Sequence, residues 1–250
     1  MKEVFIAYFD FLGFKEFILN NSDENELMRR MGHIFRDIEF ALGLGKIQEP
    51  KNGVILADLS ESKINALNIS DTVVFWTNDT TKESLQELIK VAYEFNWKEN
   101  LYNFPIRGSI SKGKIRIVNG SKKNDFGGSY GVSCLYGKGI VNAHLKAESQ
   151  DWAGTVIDNS ILEEFSTEIE INAFFEPFAV KHKVPYKENR VIDSEEFVLR
   201  LIKGTLNETS YISTKDNIER VFNQDNKSTS HPSVQRKIKN TIDFLDIFKE

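Results

Sequence analysis

Residues Val4 to Phe9 are apolar at every position, and the run stops at Asp10. Apolar side chains on both faces of a two-residue period predict a central strand covered on both sides. Gly13 then lets the chain turn into a helix. From Asn25 to Leu42 the residues Leu27, Met31, Ile34, Phe35, Ile38 and Leu42 recur every three or four positions, the stripe of an amphipathic helix, which the stretch with Gly43, Gly45 and Pro50 ends. Ile64 to Ile69 and Thr72 to Thr77 are β-rich and flank Ser70-Asp71, so a hairpin is expected with Asp71 at its tip. A second helix runs from about Lys82 to Trp97, with Leu85, Leu88, Ile89, Ala92 and Phe95 on one face. Lys114 to Val118 reads as extended, Asp125 to Gly131 as a glycine-rich loop, Lys138 to Ser149 as a helix and Gly154 to Ile157 as a strand.

The order β-α-β-β-α-β, plus an α-β pair, predicts an α+β domain of the ferredoxin-like type, an antiparallel sheet covered by helices. The tail changes character. It holds a strand-like piece from Phe178 to Pro185, a helix around Ser194 to Ile202, a polar stretch from Asn223 to Ser233, and a closing helix with Ile238, Ile242, Leu245 and Phe248. With no repeat and no long linker, residues 1–165 are expected to form the main domain and 166–250 an extension packed on it.

Composition narrows the function classes. Nineteen Phe and only 5 Pro among 250 residues exclude a disordered chain. A net charge of -5 argues against a protein that coats nucleic acid. One cysteine and four scattered histidines offer neither a disulfide framework nor a zinc-ligand spacing. The opening MKEVFIAYFDFLGF reads as a core strand and not a signal peptide, and no stretch is apolar for long enough to span a membrane, so a cytoplasmic protein without membrane partners is expected.

Three groups of residues could carry chemistry. Asp10 ends a buried strand and Asp71 sits at a hairpin tip; if the two elements pair, their carboxylates converge, an arrangement suited to Mg²⁺ with substrate phosphates. Helix capping and an ordinary turn are the competing explanations for the same two residues. Between Pro105 and Lys146 eight basic residues stand against one acid, a net of +7, and the stretch holds eight of the 15 glycines. Close backbone approach with cations favours a phosphate-rich ligand; a solvated basic hairpin is the rival reading. Asn142 and Lys146 are four apart on one helix, able to orient a ribose and a transferring phosphate, or simply surface.

In order, Tyr8-Phe9-Asp10-Phe11-Leu12-Gly13-Phe14, Ile69-Ser70-Asp71-Thr72-Val73-Val74, Pro105-Ile106-Arg107-Gly108-Ser109-Ile110-Ser111-Lys112-Gly113 and Val141-Asn142-Ala143 resemble the motifs of the class III nucleotidyl cyclases. The likeness covers residues 1 to about 165 and is nearest to the bacterial Pycsar anti-phage pyrimidine cyclases. It implies a ferredoxin-like cyclase core that binds two Mg²⁺ or Mn²⁺ ions through Asp10, Asp71 and the Phe11 carbonyl, beside the Gly13 turn. It also implies a homodimer with composite sites, a nucleoside triphosphate substrate, a 3′,5′-cyclic product and a separate effector that senses it. Arg107, Lys112 and Lys114 are candidate phosphate contacts. The adenine-reading Lys of the family has its counterpart at Leu67, which tilts the substrate toward UTP, then CTP. Two registers remain for the last helix: Asn142 and Lys146 at the ribose and transition-state positions, or Val141 at the Asn position. A silent nucleotide-binding relative, a ferredoxin-like RNA-binding module without an RNP pattern, and another two-Asp phosphoryl-transfer family are the alternatives.

Overall fold

The computed structural model describes residues 1–50, 53, 55–187 and 194–250. Its elements run β1 Lys2–Phe11, α1 Phe14–Asn20, α2 Glu24–Leu42, β2 Asn65–Ile69, β3 Thr72–Trp76, α3 Lys82–Tyr102, β4 Ile106–Lys123, β5 Ser129–Tyr136, α4 Lys138–Glu148 and β6 Thr155–Ile157. After these come α5 Asn159–Leu162, α6 Glu168–Phe175, β7 Ala179–His182, β8 Glu196–Leu199, α7 Glu208–Asn223, α8 Pro232–Leu245 and a closing 3-10 turn. The fold is α+β, with an open sheet ordered β2-β3-β1-β4-β6-β8-β7. All neighbours are antiparallel except β4 and β6, and β5 pairs with the outer half of β4. The first four strands of that order are those of the expected ferredoxin-like arrangement.

Strand β1 sits between β3 and β4, which explains why it is apolar on both faces. Phe5, Ala7, Phe9 and Phe11 face a core with Phe17, Ile34, Phe75, Leu88, Phe95 and Phe104. Many of these rings meet edge to face, Phe9 with Phe95 at 5.1 Å and Phe17 with Phe104 at 5.2 Å, a geometry that adds to simple burial. On the other face Val4, Ile6 and Tyr8 pack with Val74, Trp76, Ile115 and with Ala143 and Ala147 of α4. Glycine allows that helix to lie directly on the sheet, since a Cβ on Gly139 would come within 2.9 Å of the Gly113 backbone. Much of the glycine in the basic stretch therefore serves packing and turns and not a phosphate cradle.

The tail departs from its expected elements in two places. Glu196-Phe197-Val198-Leu199 is a strand and not part of a helix: all four residues are buried, and an apolar run as short as Phe197-Val198-Leu199 carries no period by which to tell the two apart. Two tail helices, α6 and α7, went unpredicted although each opens on a capping residue: Thr167 accepts from the Glu170 amide, and Asn207 from that of Ser210. The glycine-rich loop is also shorter than expected, because Ser129–Tyr136 pairs with β4. Strands β7 and β8 extend the same sheet, while α7 and α8 share a core with Trp152, Val156, Val198 and Leu101 at the end of α3. No helix among the described residues is long and apolar enough to cross a membrane.

Candidate active site

Sheet register assembles the site. Asp10 pairs with Thr72 on one side and Arg107 on the other, so all three project from the same face, the one α4 covers. Asp71 precedes Thr72 in the hairpin, where Ser70 holds a positive φ of 54°, and the Asp71 carbonyl accepts the Phe11 amide at 2.9 Å. That bond ties the hairpin tip to the end of β1. Directly after it the chain turns at Gly13, whose φ of 80° is natural only for glycine; a Cβ there would lie 2.9 Å from Cδ of Lys227.

Arg107 donates to Asp10 through Nε at 2.8 Å, and its second nitrogen lies 2.7 Å away; both contacts fall on Oδ2. Its remaining nitrogen reaches the Glu148 carbonyl at 3.1 Å. Loss of hydration is the largest influence on Asp10 and lifts its carboxyl above the ordinary range. Arg107 pulls the other way, while the negative charge of Asp71 adds to the rise. Tyr8, two residues before Asp10 and on the same face, bonds Nδ1 of His144 at 3.0 Å and the Thr72 hydroxyl at 3.3 Å. Burial first, then the charges of Asp10 and Asp71 against the Thr72 bond, raise the Tyr8 pKa, so its phenol stays protonated. Nε2 of His144 in turn faces Glu148 at 3.6 Å. Tyr8, Thr72 and His144 were not singled out from the sequence; the period of two that places Tyr8 beside Asp10 was the available signal.

The other expected site residues are dispersed. Phe11 is buried in the aromatic core, leaving its backbone as the part that faces the site. Lys112 lies opposite Phe5, five residues along β4 from Arg107 and roughly 17 Å away at the usual strand rise. An odd number of steps puts it on the other sheet face, where it pairs with Glu164 at 2.6 Å and Glu3 at 3.6 Å. Lys114, opposite Glu3, shares that face and is farther still. Neither can join Arg107 on one phosphate within this chain. Asn142 and Lys146 are likewise divided: Asn142 is exposed, whereas Lys146 is buried in an ion pair with Glu196 and lies over the Tyr186 ring. What α4 shows to solvent is Lys138, Val141, Asn142, His144, Leu145 and Glu148.

Among the described residues no cluster of three His, Cys, Asp or Glu could hold a metal by itself. Two neighbouring carboxylates, Asp10 with its proton affinity raised by burial, still fit a hard divalent cation that completes its shell with phosphate oxygens and water, and Oδ1 of Asp10 accepts no hydrogen bond among the described residues.

No family model matches the sequence, and no curated protein matches it. Among solved structures it is similar to the guanylate cyclase domain of RhGC from Catenaria anguillulae in complex with GTP, at 11% identity and a TM-score of 0.49, covering 80% of this chain and 96% of that one. It is also similar to the non-canonical dimeric guanylyl cyclase domain of the RhoGC fusion protein from Blastocladiella emersonii, at 12% identity, a TM-score of 0.49, and 79% and 93% coverage. Adenylate cyclases from Trypanosoma brucei overlay at 12% identity and a TM-score of 0.43, with 81% and 94% coverage.

Proposed function

We propose that this chain is a nucleotidyl cyclase that converts a pyrimidine nucleoside triphosphate, UTP before CTP, to its 3′,5′-cyclic monophosphate and pyrophosphate. The observation that carries the reading is the convergence of Asp10 and Asp71 beside Arg107 at the end of the central strand β1, in a chain whose four motifs resemble those of class III cyclases. Asp10, Asp71 and the Phe11 carbonyl would hold two Mg²⁺ or Mn²⁺ ions, which would lower the pKa of the ribose 3′-hydroxyl and offset charge on the departing pyrophosphate.

The chain's own residues do the rest. Asp10 and Asp71 fix the position of the reacting end, and Arg107, once a phosphate lies beside it, exchanges part of its contact with Asp10 for a charge-assisted bond to that phosphate. Tyr8 and His144 hold α4 in place against β1, directly behind Asp10. Leu67 packs on the α4 face and provides no cation to read an adenine, which favours a pyrimidine.

A homodimer with composite sites suits the surface: Val141 and Leu145 on α4, with Phe126 and Tyr130 on the β4-β5 hairpin, are large, apolar and exposed. The tail, residues 166–250, is read as an extension of the cyclase core. On this reading the product is a second messenger in anti-phage defence, sensed by a separate effector in the cytoplasm.

A second reading, a cyclase-like nucleotide-binding protein without turnover, is favoured by one observation: Lys146 is sequestered by Glu196, and α4 exposes Leu145 one position before it. Incubation with each of the four ribonucleoside triphosphates and Mn²⁺, with products read by mass, decides between them. A cyclic uridylate or cytidylate is expected; triphosphate binding with no cyclic product from any of the four establishes the silent reading instead.

A further inference from the structure

Between α7 and α8 the chain from Gln224 to Ser228 folds back over α1 and the turn that precedes it. Asp225 and Asn226 hold positive φ angles of 63° and 57°, a conformation that Asp and Asn adopt more readily than most residues. Side chains of α1 and its C-terminal cap keep the loop there: Asn20 donates to the Asn226 carbonyl and Asn21 to the Asp225 carbonyl, each at 2.8 Å, and Glu16 accepts the Ser228 amide at 2.9 Å. Lys227 is thereby turned inward and is only 5% exposed. Its Nζ donates to the Val221 carbonyl, in the last turn of α7, at 2.9 Å and lies 4.0 Å from the centre of the Phe104 ring. With its end anchored at these two points, the methylene stem crosses the open side of Gly13: a Cβ on that glycine would stand 2.9 Å from Cδ and 3.7 Å from Cγ of Lys227.

Gly13 belongs to the turn that directly follows Asp10. The Asp71 carbonyl holds that turn through the Phe11 amide at 2.9 Å, and the Pro105 carbonyl through the Leu12 amide at 2.8 Å, so the β2-β3 hairpin and the start of β4 fix two of its sides. The Lys227 stem backs a third. It also lies over the ring of Phe104, which meets Phe11 at 5.6 Å and Phe17 at 5.2 Å, so the same side chain touches the turn directly and through the aromatic core. Next to the stem a cavity of about 190 Å³ is lined by Leu12, Gly13, Phe222 and Val234. Shortening Lys227 would add to that space, and the turn would have room to relax into it.

We propose that Lys227, from the tail, is a positioning residue: its stem holds the Phe11-Leu12-Gly13 turn against Asp71 and Pro105 and so fixes where the Phe11 carbonyl stands relative to the two acids. That this turn serves a divalent ion rests on the cyclase reading of the Asp10 site; that Lys227 sets its position does not. The tail then has a part in the site itself, through one side chain that touches neither substrate nor metal. The contact is made by methylene groups, so reach along the stem matters at Gly13 and the charge serves to anchor its far end.

The test is amide hydrogen exchange of the full chain, read at the segment from Asp10 to Phe14 and compared with β6 in the same sample, followed by Mn²⁺ titration. Lys227→Ala, which removes the stem, should speed exchange at the turn while β6 keeps its native rate, weaken Mn²⁺ binding about tenfold and lower kcat more than it changes KM. Lys227→Met keeps atoms at the γ and δ positions without the charge, and should hold exchange at the turn near native and Mn²⁺ affinity within about twofold. Lys227→Val, apolar but without a δ atom, carries the same comparison should the alanine variant not fold. Exchange at the turn equal to native in the short variants overturns the positioning role, even where cyclic product forms. A turn loosened as much by Met as by Ala overturns it as well, since the stem is then not what holds it. Stem-dependent exchange in a chain that binds no Mn²⁺ and cyclises no triphosphate upholds the positioning and sinks only the cyclase reading.

Discussion

Asp10 and Glu99 are both carboxyls whose proton affinity burial has raised, yet they stand in opposite settings. Asp10 lies half-buried near the end of the central strand β1, tied to Arg107 and next to a second acid on a hairpin tip. Glu99 is fully enclosed on α3, and neither of its oxygens makes a hydrogen bond of good geometry among the described residues. Burial raises its pKa well above the usual range, Asp37 adds to the rise, and the Phe104 amide, Arg30 and Lys227 oppose it without cancelling. Around it the loop after α7 is locked down: Arg30 pairs with Asp225 at 2.9 Å, and Asn21 bonds the Asp225 carbonyl at 2.8 Å. A perturbed carboxyl points to chemistry where a ligand can reach it; sealed under a loop, it reports on folding.

The sharpest way to break that contrast is to neutralise each acid. Asp10→Asn and Asp71→Asn should each lower cyclisation by about 10³-fold or more, measured as cyclic product per folded protein, because each removes a charge that acts on the reacting end. Circular dichroism should show both variants folded. Survival of turnover in either would place the ions elsewhere.

Next in size is the ion pair that takes Lys146 out of the exposed helix face. Lys146→Ala should destabilise the chain by about 3–5 kcal/mol, since Glu196 is left charged and buried without its partner. Adding Glu196→Gln should recover a large part of that loss in chemical denaturation. A midpoint unmoved by Lys146→Ala would return the lysine to the list of free cations.

A smaller loss is expected from Gly139→Ala. The added methyl meets Gly113 backbone, so α4 must lift from β4 at a cost of about 1–3 kcal/mol. Because α4 carries His144 and Glu148, KM should rise along with the lower melting temperature.

Glu99→Gln should give the smallest effect and one of opposite sign. A carboxyl with a raised native pKa binds more protons folded than unfolded, so it weakens the fold progressively as pH climbs from the ordinary carboxylate range toward the native pKa. Replacing it with an uncharged amide should therefore flatten the fall in melting temperature with rising pH, by about 1 kcal/mol or more of stability on the alkaline side. An unchanged pH profile would show that Glu99 is not the group responsible. Turnover should keep its dependence on Asp10.

Parts of this structure were legible in the sequence because they depend on neighbours along the chain. The all-apolar run from Val4 to Phe9, the stripe from Leu27 to Leu42 and the turn at Ser70-Asp71 follow from periods and dihedral preferences that a few residues settle. Asp10 and Asp71 were found for the same reason, since each marks the end of such an element.

Register decided the rest. Lys112 and Arg107 look alike in a basic stretch, yet an odd number of strand steps puts them on opposite sheet faces. Asn142 and Lys146 sit one turn apart, but only the arrival of Glu196, fifty residues later, draws Lys146 inward. Lys227 carries no motif at all; the loop after α7, held by Asn20 and Asn21, lays its stem against Gly13. The sequence by itself determined the order of the elements and the two acids that end them. Which charges meet is a matter of long-range pairing, and that was decided only when the sheet closed around β1, because Coulomb forces act through space and take no account of position along the chain.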